Sequence, residues 1–342
     1  MNTAKGKRSI MNSLLSGLVW ASLLEMLFIF AAPFGSAVQT CCSGGVPLGG
    51  SLGLGTAESQ SLQVLVTYDY NAINDLVSFS ERLDDDTRSR TTQSSLIEIN
   101  YGLNNRWSFT SVVPFIRQTR TIQAFAGEDF TAAQGIGDVV FLAKYRLINP
   151  ENQSGIDWVA GVGPKIPTAK TDHVNNQGLV MAADMQPGSG SLDGIFWSYF
   201  LKSRFLKNSN LGLMAVTTFR YSGENRNYNR TQTYRFGNEF QFNLGLNYSA
   251  FVKRPVDFST FFRYRKQTED LIDGGVFPSS GGQWVYVIPG INISFSPSWS
   301  FRLSGDVPLY RKLDGAQLTT SYKITAALLF NIPLSKNELF IN

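Results

Sequence analysis

Histidine and cysteine are almost missing from this chain, and their scarcity removes most enzyme chemistry at once. The 342 residues hold one histidine, His173, and two cysteines, the adjacent Cys41 and Cys42. Neighbouring cysteines can bridge only through a strained small ring, so no long loop is stapled by a disulfide. Lipidation of Cys41 is the functional alternative, although Val38-Gln39-Thr40 before it carries Gln and Thr where small residues are usual. A serine hydrolase needs a Ser, a His and an orienting group in contact, and His173 beside Asp172 has no GxSxG to serve. No Cys/His set has zinc spacing, and no phosphate-cradling glycine loop runs from a strand into a helix. Asp84-Asp85-Asp86 lacks the ligand spacing of a calcium loop and reads as an acidic loop tip. The sequence therefore implies no enzyme, no metal and no cofactor.

Charge is also scarce. Only 16% of the residues are charged, against roughly 25% in ordinary soluble domains. Hydrophobic residues make up 43% and aromatic residues 13%, with 31 Gly, 25 Phe and 13 Tyr. The net charge of +4 is spread along the chain, which argues against a nucleic-acid-binding patch. Beyond the N-terminal region no run approaches the about 20 apolar residues of a spanning helix, so a polytopic helical membrane protein is excluded.

What is present is alternation, clearest from Tyr234 to Ser249. Tyr234, Phe236, Phe240, Phe242, Leu244, Leu246 and Tyr248 share one parity; Arg235, Glu239, Gln241, Asn243 and Asn247 share the other. A strand points successive side chains to opposite faces, so one face is greasy and the other wet. The run exceeds the about 9 to 11 residues that a tilted strand needs to cross a bilayer. Tyr234 and Tyr248 would then sit near the two interfaces.

Residues 1–37 read as a Sec signal peptide, with Lys5, Lys7 and Arg8 before an apolar stretch and Gly35-Ser36-Ala37 at the cleavage site. Residues 38–60 form a Gly-rich periplasmic segment, either flexible or tucked into the following barrel as a plug. Residues 61–342 contain about twelve strand candidates: 61–70, 92–102, 106–117, 136–148, 156–167, 192–206, 210–222, 233–250, 256–267, 282–295, 299–311 and 319–333. Short connections alternate with long ones at 71–91, 118–135, 168–191, 223–232, 268–281 and 312–318. Short periplasmic turns and long extracellular loops on an even number of strands describe an all-β transmembrane barrel, placed in a bacterial outer membrane.

Parity assigns the faces. Trp107, Phe109, Val113 and Phe115 share the lipid face, as do Val139, Phe141, Ala143, Tyr145 and Leu147, and Ile195, Trp197, Tyr199, Leu201 and Phe205. The lumen-lining candidates are Glu98, Asp138, Lys144, Arg146, Lys165, Lys202, Arg204, Arg220, Arg235, Glu239, Arg263, Arg265, Arg302 and Asp306, with Asp69 and Lys323. Phe196, Phe200 and Phe261 face the lumen beside them. Basic residues outnumber acidic ones in this set, which makes an electropositive lumen the expectation. Pro289 cannot donate to a ladder and suggests a bulge that swaps faces in 282–295. Two readings of the interior charges follow and do not exclude each other: they pair across strands and fill the barrel, and they line a permeation path.

Two segments resemble a known family. Gly135-Ile136-Gly137-Asp138-Val139-Val140 with Lys144-Tyr145-Arg146-Leu147, then Gly161-Val162-Gly163-Pro164-Lys165-Ile166-Pro167-Thr168-Ala169-Lys170, resemble the paired motifs of the MetA-pathway of phenol degradation transporter family. Ala169 stands where the family often has Gly, and the chain ends Leu339-Phe340-Ile341-Asn342 without the usual terminal aromatic. The resemblance implies an outer-membrane barrel distantly similar to fatty-acid and aromatic-hydrocarbon channels. The expected function is a channel or passive transporter for small organic solutes, anionic, aromatic or amphipathic. A closed structural or surface-recognition barrel is the alternative, and an outer-membrane hydrolase a third. Expected partners are membrane lipid, a small-molecule solute and the outer-membrane assembly machinery.

Overall fold

Alternating strands close on themselves into a barrel. The structure is a computed structural model describing residues 55–124, 127–150, 155–206, 209–249 and 256–334. The expected signal peptide, Cys41, Cys42, most of the Gly-rich segment, the turn at Lys253-Arg254-Pro255 and the terminal Leu339–Asn342 lie outside the described residues. In chain order the wall starts with β1 (Ser61–Ile73), β2 (Arg88–Gly102), β3 (Trp107–Ala124), β4 (Val139–Ile148), β5 (Ile156–Ile166) and β6 (Asp193–Lys202). It continues with β7 (Leu211–Tyr221), β8 (Glu239–Ser249), β9 (Val256–Gln267), β10 (Gly282–Ser296), β11 (Trp299–Leu313) and β12 (Tyr322–Pro333). Each strand is antiparallel to its neighbours, and β12 returns to β1 from Pro333 opposite Ser61 to Tyr322 opposite Ala72. The result is a closed barrel of twelve antiparallel strands, which leaves no sheet edge open to lipid.

The segment expected as a loop at 118–135 is instead a tall hairpin. β3 carries β4 on its lower half and the segment Gly127–Ile136 on its upper half, where Phe115 to Ala124 pair with it. Thr119, Thr121 and Ile122 favour extended backbone, and they prolong the strand past the rim. Other long connections also hold short strands. Asp75–Ser78, Glu81–Leu83 and Ala316–Thr319 form one small sheet; Asn225–Tyr228, Gln232–Arg235, Leu271–Ile272 and Gly275–Val276 form a second. The run from Tyr234 to Ser249 breaks too. Gly237 presses so closely on Thr268 that an added Cβ would lie 1.8 Å from its carbonyl oxygen. Strand pairing stops there, and Tyr234 (4% exposed) and Phe236 (3%) pack under the loops instead of meeting lipid.

The outer wall is apolar where lipid would lie. Ile97, Phe109, Val113, Phe141, Val162, Phe219, Phe242, Leu244, Phe262, Leu303 and Ile324 all face outwards and are exposed. At the short-turn end Trp107 lies against Tyr145 with ring centroids 4.8 Å apart, and Phe295 stacks on Trp299 at 4.3 Å. Exposed Tyr221, Tyr310 and Tyr322 mark the long-loop end. Such paired girdles suit the two bilayer interfaces.

One strand has the opposite facing from that expected. In β6 Ile195, Trp197 (3% exposed) and Tyr199 (6%) point inwards, while Phe196 (55%) points outwards. Apolar residues occupy both parities of β6, so hydrophobicity could not choose between them; Asp193, held by Lys165 at 2.9 Å, sets the odd positions inside. Leu201 and Phe200 are half-buried, and Phe205 is exposed in the following turn. β10, by contrast, passes Pro289 without swapping faces: Trp284, Tyr286, Ile288 and Asn292 are all buried. Its register shifts against β11 fall elsewhere, between Val285 and Tyr286, whose partners are Tyr310 and Pro308, and between Ser294 and Ser296.

Candidate functional site

The inward faces meet as a packed layer of aromatic rings threaded by ion pairs. Trp197, Tyr199, Phe261, Trp284 and Tyr286 belong to one buried apolar cluster. Among them run charged side chains from successive strands. Lys144 lies 3.9 Å from Glu98 and 4.5 Å above the Trp197 ring. Glu239 takes Arg265 at 3.1 Å and faces Arg220 at 3.6 Å; the Arg265 guanidinium sits 4.3 Å over Trp284. Asp306 binds Arg263 at 2.8 Å and Lys323 at 3.2 Å, and Asp69 accepts a hydrogen bond from Thr325. Pairing of this kind offsets the desolvation of each ion.

The balance of these charges corrects the expectation of an electropositive lumen. Among the described residues eight basic side chains are buried: Arg90, Lys144, Lys165, Arg220, Arg263, Arg265, Arg302 and Lys323. Nine acidic ones are buried with them: Asp69, Asp75, Glu98, Asp138, Asp157, Asp193, Glu239, Asp270 and Asp306. Parity missed Asp193 because β6 was read on the wrong face. It missed Asp75 and Asp270 because they lie in the long connections, and it passed over Asp157 although that residue shares the parity of Lys165 in β5.

At the long-loop end residues 167–192 fold back into the mouth, where Met185, Gln186, Ser189 and Ser191 are buried. Asp138 anchors them. Its carboxylate accepts from Lys165 Nζ at 2.8 Å, the Ser189 amide at 2.8 Å, the Ser189 hydroxyl at 2.9 Å and the Ala169 amide at 3.2 Å. Gly188 must lack a side chain here, since a Cβ would fall 2.4 Å from Asp138 Oδ1 and 2.3 Å from the Ala169 Cβ. The Thr168 hydroxyl donates to the Gly137 carbonyl at 2.8 Å and accepts from the Val139 amide at 3.1 Å. Thus the Gly135–Val140 and Gly161–Lys170 motifs, separate in sequence, meet at one carboxylate. Farther out Arg90 holds Asp184 at 2.5 Å, and Gln118 donates to the Gln186 carbonyl at 3.1 Å.

The remaining candidates are scattered. Glu98, Lys144, Lys165, Arg220, Glu239, Arg263, Arg265, Arg302 and Asp306 are buried on inward faces beside Asp138. Arg146 is half-buried at the short-turn mouth, bound to Asp157 at 3.0 Å. Lys202 and Arg204 do not line the lumen. The face reversal in β6 turns Lys202 outwards, and Arg204 (φ 52°) occupies the exposed turn. Arg235 stands above the wall, where it donates to the Ser222 carbonyl at 3.0 Å and covers Tyr221 at 5.1 Å. His173 is half-buried in the folded-back loop, its amide donating to Gln186 Oε1 at 3.1 Å.

Residues 90–311 match the family described as "Putative MetA-pathway of phenol degradation". The chain belongs to this family. No curated protein sequence matches it. Among solved structures, this family member is similar to the COG4313 outer membrane channel from Pseudomonas putida F1, with 13% identity and a TM-score of 0.64 over 82% of this chain and 97% of that one. The β domain of the Bordetella autotransporter BrkA follows at 12% identity and a TM-score of 0.43, over 80% and 99% of the two chains. At these identities the comparison establishes the barrel fold.

Two further features bear on how the mouths behave in this family member. At the short-turn end an open cavity of about 590 Å³ is lined by Asp257, Asn292, Ser294, Trp299, Leu329 and Asn331. At the other end buried Asp270 accepts from the Tyr234 hydroxyl at 2.6 Å and the Gly237 amide at 2.7 Å. Burial raises its carboxyl above the usual carboxylate range, and nearby Asp184 adds to the effect against these hydrogen bonds. A raised acid pKa favours the packed loops at low pH, and that contribution is lost as pH rises through the folded-state value. Mild acidification is therefore expected to slow amide exchange in 225–235 and 271–276, after correction for intrinsic rates. Asp270→Asn should flatten the dependence; an unchanged pH profile in that variant would remove Asp270 as its source.

Proposed function

We propose that this family member is a bacterial outer-membrane channel for small organic solutes, opened by displacement of the 167–192 loop. The observation that carries the reading is the single-carboxylate anchor at Asp138, which ties a folded-back loop across the mouth of a lumen otherwise lined by strands. Inward aromatic rings offer passing solutes apolar and π surfaces, and adjacent ion pairs offer hydrogen bonds. Diffusion through such a path needs no cofactor. At the opposite mouth the Gly55 carbonyl accepts from Asn100 at 3.2 Å and the Thr56 carbonyl from Arg146 at 3.4 Å. These contacts support a plug role for residues 38–60.

Conductance in a planar bilayer tests the reading. Because buried acids match buried bases, discrete steps should show little preference between small cations and anions under a salt gradient. Strong anion preference would contradict the balanced lumen. The same paired, packed interior supports the alternative, a closed barrel acting through its loops. Silence from folded protein, persisting when the Asp138 anchor is removed, would decide for that alternative.

A further inference from the structure

The buried charges balance, but one cavity at the extracellular mouth does not share that balance. It measures about 250 Å³ and lies between the β2–β3 wall and the loop segments that carry Leu76, Ser279 and Ala316 to Leu318, with Asp184 of the folded-back loop as the one acid on its lining. Three arginines line it: Arg88, Arg90 and Arg120. Arg90 and Arg120 are direct cross-strand partners, a like-charge arrangement that is unfavourable unless an anion lies nearby. Arg88 is met by Asp85 at 3.3 Å and Arg90 by Asp184 at 2.5 Å. Arg120 has no such acid among the described residues, and its Nε is buried without a hydrogen-bond partner. Leu76, Ile122 and Leu318 supply apolar surface to the same cavity.

We propose that this cavity is a binding site for a small organic carboxylate, held by the Arg120 guanidinium beside Arg90 with its apolar body against Leu76, Ile122 and Leu318. A planar guanidinium presents paired donors that match a carboxylate, and the apolar wall rejects a fully hydrated inorganic anion. The volume falls just under the about 300 Å³ at which pockets for drug-sized ligands begin, which limits the body to one ring or a short branched chain. Arg120 shares its parity with buried Gln118 and so faces the mouth, whereas exposed Arg117 faces outwards. A lipid headgroup would meet Arg117. The site rests on the channel reading only for the onward passage of a captured solute, since binding itself requires no conduction.

Titration calorimetry on the purified, folded full barrel tests the assignment with benzoate, neutral benzyl alcohol and inorganic phosphate as probes. Benzoate should bind more tightly than the other two and weaken as salt is added. Arg120→Gln should weaken benzoate by about tenfold or more, as loss of a charged hydrogen-bond donor does. Arg120→Lys should recover part of that loss, and Arg117→Gln should change nothing. Exposed Arg88→Gln serves as a second probe that leaves the packed wall untouched, and it should weaken benzoate as well. Equal binding of benzyl alcohol or phosphate, or benzoate affinity indifferent to both Arg120→Gln and Arg88→Gln, would overturn the site. Absence of conductance with benzoate binding intact would defeat only the channel reading.

Discussion

Replacing Asp138 by alanine is expected to open the barrel and loosen it together, with a loss of about 3–5 kcal/mol in stability. The magnitude reflects the contacts that the carboxylate holds. Lys165, Ser189 and Ala169 all donate to it in a fully buried setting. Without it Lys165 keeps Asp193 at 2.9 Å, but the Ser189 amide loses its acceptor and the inner end of the loop loses its anchor. Contacts from Arg90 and Gln118 hold the outer part, so the loop should swing rather than unfold. Bilayer current should rise and the heat-modifiable gel transition should fall. Asp138→Asn keeps the volume and one acceptor and should lie between. A lowered transition with current unchanged would leave Asp138 a purely structural residue and remove the loop as a gate.

How much of this was legible beforehand depended on whether a residue's parity was ambiguous. In β8 one parity is apolar and the other polar, so Phe242, Glu239 and Gln241 all stand where alternation alone puts them. β6 carries Phe196 beside Trp197 and Phe200 beside Tyr199, and no hydrophobic rule separates those faces. The deciding contact is long-range, Lys165 to Asp193, and sequence shows no trace of it except that an acid begins the strand. That reversal misplaced Lys202 and hid Asp193, whereas Arg204 left the lumen because β6 ends at Lys202 and the chain turns there. The Asp138 anchor was half legible. Both motif segments were visible, but nothing local reveals that Asp138 and Ser189 meet across some fifty residues of chain.

The same ambiguity governs the character of the interior. A lumen counted from parity alone carries a large basic surplus and favours anions; with Asp75 and Asp270 of the long connections left out, a lumen counted from burial holds eight bases against seven acids and is nearly balanced. The basic excess survives at the extracellular mouth, where Arg120 stands without an acid of its own. On the proposed reading, recognition by charge and passage by shape are separated along the axis: arginines at the mouth, aromatic rings and closed ion pairs below.

Glu239→Gln is the second substitution with a large expected effect, because it removes the negative charge shared by two buried arginines. Glu239 receives Arg265 at 3.1 Å, faces Arg220 at 3.6 Å and accepts from Gln241. Arg265 would keep Gln267 at 2.6 Å and the Trp284 face, and Arg220 would keep Asp193 at 3.9 Å, so surplus positive charge would stay in the wall. Breaking a buried pair on one side costs about 3–5 kcal/mol, whereas replacing both partners by groups of similar shape is often near neutral. Unfolding in lipid should therefore rank Glu239→Gln well below the double variant Glu239→Gln with Arg265→Met. Reversal potential separates structure from path. If the ring of β7, β8 and β9 borders the conducting route, the uncompensated charge shifts the potential towards anion preference, and the double variant restores it. If the stability order holds while the potential does not move, the ion pairs hold the wall together and the solutes pass elsewhere.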